Sequence, residues 1–307
     1  MKFEVSKSPY GPKDEIGRLN EITGRSRARV LERIDASRVF DLSVDYFVGM
    51  PAWDFVGDPP YQIWMTHTPQ GTITDNPLKV SDAVNRYVSY SGDAISMYTH
   101  CGTHIDTLNH FGYDGVIWNG YKAVEHLGAR HWNVCGADKF PPIIARGVLL
   151  DIAGLKGMDV LPSSYGIGPD DLKNAIKKQN VTLQQGDVVM LRTGRMRLWP
   201  DHDKYLIDEP GLNVEGAQYL AEEGKCIAIG GDNVALEQLP SVDPDSYLPV
   251  HCYLFSVVGV VIIEVLMLEE LAREKVYEFA FFGAPLRLRG STGSPMRPFA
   301  IPFARRV

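Results

Sequence analysis

The order of apolar and polar positions along the chain predicts strands that alternate with helices. Residues 39–44 alternate apolar and polar side chains, as a half-buried strand does. Residues 147–152 form a nearly continuous apolar run, which indicates a buried strand, and residues 187–192 predict another. Residues 169–178 open with Pro and two acidic residues, a combination that suits a helix N-terminus. The stretch between 153 and 168 is rich in Gly, Ser and Pro and is predicted to be a loop.

The second half of the chain alternates more regularly. Residues 214–223 predict a helix that Gly224 stops, and residues 226–230 and 276–282 predict two further strands. Such alternation is typical of an α/β fold in which helices pack on a sheet. We therefore expect one compact α/β domain of mixed sheet and packed helices over residues 1–307. Its first 35 residues are predicted to form an N-terminal arm that lies on a surface.

Composition narrows the class of protein. Of the 307 residues, 45% are hydrophobic, and 38 acidic side chains exceed 31 basic ones, which gives a net charge of −7. This excess of acidic residues argues against nucleic acid as a partner, because binding to phosphates needs a basic patch. The most apolar window, residues 254–268, is too short for a spanning helix and contains Glu264. It is predicted to be a buried core element, and no membrane partner is expected.

The cysteines and the first residues predict the compartment. Cys101, Cys135, Cys226 and Cys252 are widely scattered and include no Cys-x-x-Cys pair. This pattern favours reduced thiols over a disulfide framework. The first ten residues contain no apolar segment of the kind that directs secretion. We expect a cytoplasmic protein.

Potential metal ligands are concentrated in residues 100–110. Three histidines, His100, His104 and His110, and one carboxylate, Asp106, fall within these eleven residues. Gly and β-branched residues between them disfavour a helix, and a flat strand would hold His100 and His104 about 13 Å apart. A strand that bends at Gly102 would place His104 and Asp106 on one side and bring His100 near them. Because so many buried polar groups each need a partner, the segment predicts a metal site.

His251 and Glu264 are predicted to complete this site. A short helix from His251 would rise about 12 Å before Gly259 reverses the chain. A strand of about 16 Å would then return Glu264 to within several ångströms of the level of His251. Burial of a carboxylate after four apolar residues is costly unless a cation or a hydrogen-bond donor compensates it. The alternative is a capped surface histidine and a glutamate paired with an arginine.

The motif His100-x-Gly-Thr-His104-x-Asp106-x-x-x-His110 resembles the signature of the cyclase-like metal-dependent hydrolases. That family includes bacterial kynurenine formamidases, isatin hydrolases and trans-dienelactone hydrolases. Further similar segments extend over most of the chain: residues 10–20, 41–43, 49–53, 57–59, 186–194, 230–237, 251–264 and 290–295. The resemblance implies a swivelling β/β/α fold.

The resemblance also implies functions for individual residues. His110 corresponds to the catalytic acid or base, and Trp53 corresponds to a residue that lines the substrate pocket. The metal ligands that it implies are His100, His104, Asp106, His251 and Glu264. Thr107-Leu-Asn stands where kynurenine formamidases have a proline, and the chain is much longer than theirs. These differences favour the longer branch, which resembles the dienelactone hydrolases.

Imidazole and carboxylate ligands without thiolate suit Zn²⁺, Mn²⁺ or Fe²⁺. Five protein ligands would leave no open position on one zinc ion, so either two ions share them or only some of them bind. We expect a zinc- or manganese-dependent hydrolase in which a metal-bound hydroxide attacks the carbonyl of a small cyclic amide, imide or lactone. His110 would shuttle the proton. The expected assembly is a homodimer or a homotetramer.

The sequence is also compatible with other functions. The protein could be a non-enzymatic metal- or small-molecule-binding protein, or an arylformamidase that acts on formylkynurenine. Thiol catalysis by Cys101 is disfavoured, because adjacent residues of an extended chain point apart and Cys101 would pack away from the histidines. Asp232 and Glu237 follow a predicted strand and are expected only to support the site.

Overall fold

The predicted alternation of strands and helices produces a mixed nine-stranded sheet with helices packed against it. The computed structural model describes residues 3–304. Its strands in chain order are β1 (Phe40–Asp41), β2 (Gln62–His67), β3 (Gly92–Ser96), β4 (His104–Asp106), β5 (Val116–Ile117), β6 (Tyr121–Lys122), β7 (Ile143–Asp151), β8 (Gly166–Ile167), β9 (Val188–Arg192), β10 (Gly211–Leu212), β11 (Ala228–Gly231), β12 (Val261–Glu264), β13 (Glu278–Gly283), β14 (Gly293–Pro295) and β15 (Phe299–Pro302).

The helices are short. The α-helices are α1 (Gly24–Leu31), α2 (Pro69–Asp75), α3 (Asp82–Asn85), α4 (Ala123–His126), α5 (Ile152–Lys156), α6 (Pro169–Gln179), α7 (His202–Leu206), α8 (Val214–Gln218), α9 (Pro249–Tyr253) and α10 (Glu269–Arg273). Turns of 3₁₀-helix occupy Gly17–Glu21, Trp118–Gly120, Ala137–Lys139 and Arg195–Leu198. Segments of π-helix extend α8 over Tyr219–Glu223 and α9 over Leu254–Val258.

The large sheet has a parallel centre and antiparallel flanks. Its strand order is β1-β15-β13-β7-β9-β11-β12-β4-β14. The central strands β7, β9, β11 and β12 are parallel to one another, and β4 pairs antiparallel with both β12 and β14. Since the central strands are buried on both faces, their residues are almost uniformly apolar. The register places Glu264 opposite His104, so that these two polar residues of neighbouring strands lie side by side.

Most of the predicted elements are confirmed. The buried strands at 147–152 and 187–192 are β7 and β9, and the strands at 226–230 and 276–282 are β11 and β13. The helices that begin at Pro169 and Val214 are α6 and α8. The apolar window 254–268 lies in the core, as expected. The four cysteines are free and buried, also as expected.

Two local predictions are wrong. The strand expected over 39–44 has only two strand residues, because β1 pairs with β15 through Phe40 and Asp41 alone. The stretch 153–168 is not a continuous loop, since it contains most of α5. The Asp151 side chain accepts a hydrogen bond from the Gly154 backbone N–H at the start of this helix, and Gly157, with φ of +70°, ends it.

The first residues pack against the sheet domain. Leu19 is buried in the main core, and the Arg18 guanidinium donates hydrogen bonds to the backbone carbonyls of Ala221 and Val258. Ser6 N–H donates to the Ser256 carbonyl. Between residues 3 and 304, none of the helices has the length and apolar character that a bilayer crossing requires.

Candidate metal centre and substrate cavity

The histidine-rich segment bends at Gly102, as predicted. Gly102 has φ of +60°, and a Cβ atom there would lie 2.6 Å from the Tyr46 ring, so the turn has room only for glycine. The chain then enters β4, where His104 and Asp106 lie two residues apart on one face. The bend returns His100 to this face, and its Nδ1 lies 2.5 Å from Oδ1 of Asp106.

The second predicted segment has the predicted helix–glycine–strand form. His251 lies in α9, the π-helical turn continues to Val258, and Gly259 reverses the chain with φ of +64°. Strand β12 then returns to Glu264. The His251 Nε2 atom lies 3.3 Å from Oε1 of Glu264, which confirms that the two residues meet.

The five predicted ligands therefore converge at one place. Two atoms bound to one ion at about 2.1 Å can lie no more than about 4.2 Å apart. His104 Nε2 lies 3.1 Å from Glu264 Oε2 and 3.3 Å from Asp106 Oδ1. His251 Nε2 lies 3.7 Å from Asp106 Oδ2. These separations are compatible with ligation of a common ion.

Buried polar atoms that make no hydrogen bond fit a cation at this point. Nε2 of His104, Oδ2 of Asp106 and Oε1 of Glu264 are buried and make no hydrogen bond within the described structure. Burial by itself would lower the pKa of His104, but its contacts with Asp106 and Glu264 raise that pKa to about 10. The two carboxylates thus attract positive charge at Nε2. A divalent metal ion would supply that charge to all three atoms.

His110 lies beside this cluster and faces the cavity. Its ring stacks on that of His100 with centroids 3.9 Å apart, and its Nε2 lies 3.9 Å from Oδ2 of Asp106. Burial, and then the proximity of the His100 ring, lower the pKa of His110 well below its usual value. The ring is therefore neutral at pH 7, which is the protonation state that a general base needs. His100, Asp106 and His110 also form a second group whose ligand atoms lie within 4.8 Å of one another.

Hydrogen bonds orient the imidazoles. Glu237 Oε1 lies 2.7 Å from His251 Nδ1, and the carbonyl of Gly102 lies 2.8 Å from His104 Nδ1. Nε2 of His100 lies 2.9 Å from the Thr292 hydroxyl. Residues 290–295 are similar to a segment of the family, but this similarity did not predict the contact between Thr292 and His100.

Of the two acidic residues considered as supports, only Glu237 contacts the cluster. The Asp232 carboxylate accepts hydrogen bonds from the backbone N–H groups of Thr193 and Gly194 and from the Thr193 hydroxyl. Asp232 therefore holds the turn after β9 and orients no ligand.

An aromatic cavity of about 300 Å³ opens over the cluster. Its floor contains His100, His110, His251 and Glu264, and Trp53 lies in its wall, where a substrate-contacting residue was predicted. Sequence reasoning missed the other aromatic residues of the wall, Tyr98, Phe111 and Tyr247, because they come from separate segments of the chain. A cavity of this size and lining can enclose a small molecule next to the histidines.

Cys101 packs away from the histidines, as expected. It is buried in an apolar cluster with Met50, Ala52 and Tyr61. Burial raises the pKa of its thiol to about 12. The thiolate needed for nucleophilic catalysis is therefore disfavoured at neutral pH.

Comparison with known proteins shows the family to which the chain belongs. A kynurenine formamidase of Bacillus cereus (strain ATCC 10987 / NRS 248) is 27% identical over 245 residues, which cover 78% of this chain and 91% of that protein. The crystal structure of a novel cyclase superposes with a TM-score of 0.84 at 28% identity and covers 95% of this chain and 96% of its own. Isatin hydrolase A from Ralstonia solanacearum shares the fold, with a TM-score of 0.64 at 19% identity over 91% of this chain and 94% of its own. The sequence profile of the family described as putative cyclase matches residues 40–238, more than half of the chain, and the protein therefore belongs to that family.

Proposed function

We propose that the protein is a metal-dependent hydrolase that opens small cyclic amides, imides or lactones. The observation that carries this proposal is the set of buried atoms of His104, Asp106 and Glu264 that make no hydrogen bond, next to an aromatic cavity that Glu264 lines. Relatives named as a formamidase and an isatin hydrolase support hydrolysis of an amide bond. Zinc and manganese are the ions proposed, bound singly or as a pair.

Under this proposal some residues bind the metal ion, and others transfer a proton or contact the substrate. The ion would be held by His104, Asp106, His251 and Glu264. His100 would contribute through its contact with the Asp106 carboxylate. A divalent ion bound there polarises a carbonyl group and makes a water molecule acidic enough to act as a nucleophile at neutral pH. His110, neutral at pH 7, would accept a proton from the water and return it to the leaving nitrogen or oxygen. Trp53 would contact the substrate ring and exclude water from it.

Formamidase activity is the second candidate, because the Bacillus cereus relative aligns over most of its length. Formylkynurenine carries a free carboxylate next to its ammonium group. Among the described residues that line the cavity there is no Lys or Arg to pair with it. The cavity therefore favours a substrate without that carboxylate.

Metal analysis together with a hydrolysis screen tests the proposal. Purified protein should contain at least one divalent ion per chain and should hydrolyse one of three probes: isatin, a small lactone that carries an amino group, or formylkynurenine. A His104→Ala/Asp106→Ala double variant is the control and should lose both metal and activity. A folded protein that binds no divalent ion, or full metal content in the double variant, would overturn the proposal. Metal binding with no hydrolysis of any probe would favour the binding-protein alternative.

We also propose that the chain forms a homodimer or a homotetramer. Ile63, Trp64 and Ile95 on the β2–β3 hairpin are about half exposed, with relative exposures of 46%, 50% and 55%. Apolar surface of this kind favours association. Sedimentation at micromolar concentration should show a species larger than 34.2 kDa, and a monomer alone would refute this proposal.

A further inference from the structure

One acidic side chain in the cavity wall has no part in the proposed metal centre. Asp58 lines the same cavity as His110 and Glu264, but it lies on the loop that follows Trp53. The described structure gives its carboxylate no hydrogen bond and no ion pair. It is partly buried, so it is incompletely hydrated. A hydrogen-bond donor or a cation that contacts a carboxylate in this position stabilises its charged form.

The loop holds Asp58 towards the cavity. The Asp54 carbonyl accepts a hydrogen bond from Gly57 N–H at 3.0 Å, and Gly57 has φ of +93°, so the chain turns immediately before Asp58. The Pro59 carbonyl accepts a hydrogen bond of 3.0 Å from Tyr98 N–H just beyond β3. These two bonds fix both sides of Asp58 with backbone contacts.

Aromatic side chains line the same cavity as Asp58. Trp53, Tyr98 and Tyr247 line it together with Asp58. Burial, and then the negative charge of Asp58, raise the pKa of Tyr98 above its usual value, so its phenol remains protonated. Ring faces and a carboxylate together form an environment that replaces the hydration of an ammonium group. The lack of Lys and Arg among the described lining residues means that no positive side chain opposes such a group.

We infer that the substrate is a small aromatic or cyclic molecule that carries a positively charged amino group, and that Asp58 binds this group opposite the hydrolysed bond. This inference rests on the proposed function and specifies its substrate class. The cavity, at about 300 Å³, has room for little more than one ring system and its substituent. Asp58 is thus a specificity-determining residue, and substrates with a carboxylate at the same position are disfavoured by like charge.

Two ligands of nearly equal size test the inference by binding alone. Benzylammonium and benzyl alcohol differ chiefly in charge, and their affinities for the zinc-loaded protein can be measured by calorimetry. We expect benzylammonium to bind about fivefold to tenfold more tightly, as a partly buried charge-assisted contact allows. In Asp58→Asn this ratio should fall to about one. Asp54→Asn is the matched control, since it removes the same charge from an exposed residue of the same loop that does not line the cavity. It should keep the ratio of the unmodified protein.

Equal affinities for the two ligands in the unmodified protein, or a preference that survives Asp58→Asn, would overturn the inference. Circular dichroism and metal content establish that each variant is folded and loaded. If Asp58→Asn does not fold, salt gives the decisive measurement in the unmodified protein. The ratio should decrease between 20 and 500 mM salt if charge causes the preference, and a salt-independent ratio would refute it. Because this test measures binding, its failure is separate from a failure to hydrolyse isatin or a lactone, which bears on the proposed function.

Discussion

Oε1 of Glu237 lies 2.7 Å from Nδ1 of His251 and also accepts a hydrogen bond from the backbone N–H of His251 at 3.0 Å. The carboxylate therefore holds both the ring and the first turn of α9. With Nδ1 engaged, Nε2 is left to face Glu264 and Asp106. A hydrogen bond of this kind fixes the tautomer and the orientation of a metal-binding imidazole.

Glu237→Gln should therefore weaken metal binding about 10- to 100-fold, which is the usual cost of losing such a partner. Competition with a chromophoric chelator measures the change. Glu222→Gln is a suitable control, because Glu222 contacts Tyr253 at the other end of α9 and lies on the surface. A Glu237→Gln protein with unchanged metal affinity would show that the contact has no influence on the ligand.

The pH dependence of stability should reveal the buried Asp232. Burial raises the pKa of Asp232 to about 6, whereas an aspartate in the unfolded chain keeps a pKa near 3.8. Between these values the folded state binds a proton that the unfolded state does not. This residue therefore stabilises the protein more at pH 5 than at pH 7, by about 1 kcal/mol.

Comparison of the unmodified protein with Asp232→Asn isolates this effect, since asparagine does not titrate. In the presence of a chelator, the loss of unfolding free energy caused by Asp232→Asn should be larger at pH 5 than at pH 7. Urea titrations at both pH values measure it, and the metal ligands titrate alike in both proteins. Equal losses at the two pH values would place the pKa of Asp232 near its ordinary value.

The sequence predicted those parts of the site in which a single residue determines the direction of the local backbone. Gly102 and Gly259 each mark a reversal that places ligands before and after it on one side, and both reversals have positive φ. The contact between His251 and Glu264 followed from the lengths of a helix and a strand on either side of Gly259. Such arguments need only the geometry of a continuous segment.

The parts that sequence reasoning missed depend on contacts between distant segments. Strand β4 pairs with β12 and β14, and both of these strands lie more than 150 residues away from β4 in sequence. This pairing brings Thr292 to His100, and nothing in residues 100–110 indicates it. The position of Asp58 in the cavity likewise depends on the packing of its loop against Tyr98. Helix α5 differs, because it begins at the cap that Asp151 forms and then runs through a stretch rich in loop-forming residues, which predicts a loop.

The reversal at Gly259 should be intolerant of a side chain. A Cβ atom at residue 259 would lie 2.7 Å from the Trp118 indole and 3.1 Å from the backbone of Gly17. Gly259→Ala therefore combines the cost of a left-handed conformation, about 1–2 kcal/mol, with an overpacking cost of about 1–3 kcal/mol. Gly186→Ala is the matched control, because Gly186 has φ of +92° and open space where its Cβ would lie. Urea unfolding should show the greater loss for Gly259→Ala, and equal losses would mean that contact with Trp118 costs nothing.

The last prediction separates His110 from the ligands. His110 stacks on His100 and faces the cavity, and its Nε2 is 3.9 Å from the carboxylate of Asp106. His104, in contrast, is fully buried with Nε2 between Asp106 and Glu264. His110→Ala should therefore retain the metal and the fold and lose about 10²- to 10⁴-fold in turnover, the usual contribution of a general acid or base. His104→Ala should lose the metal together with the activity. Metal content by mass spectrometry, measured beside turnover of the identified substrate, distinguishes the two outcomes. If His110→Ala loses its metal, His110 is a ligand of the second group that it forms with His100 and Asp106; if it retains metal and near-normal turnover, it has no catalytic function.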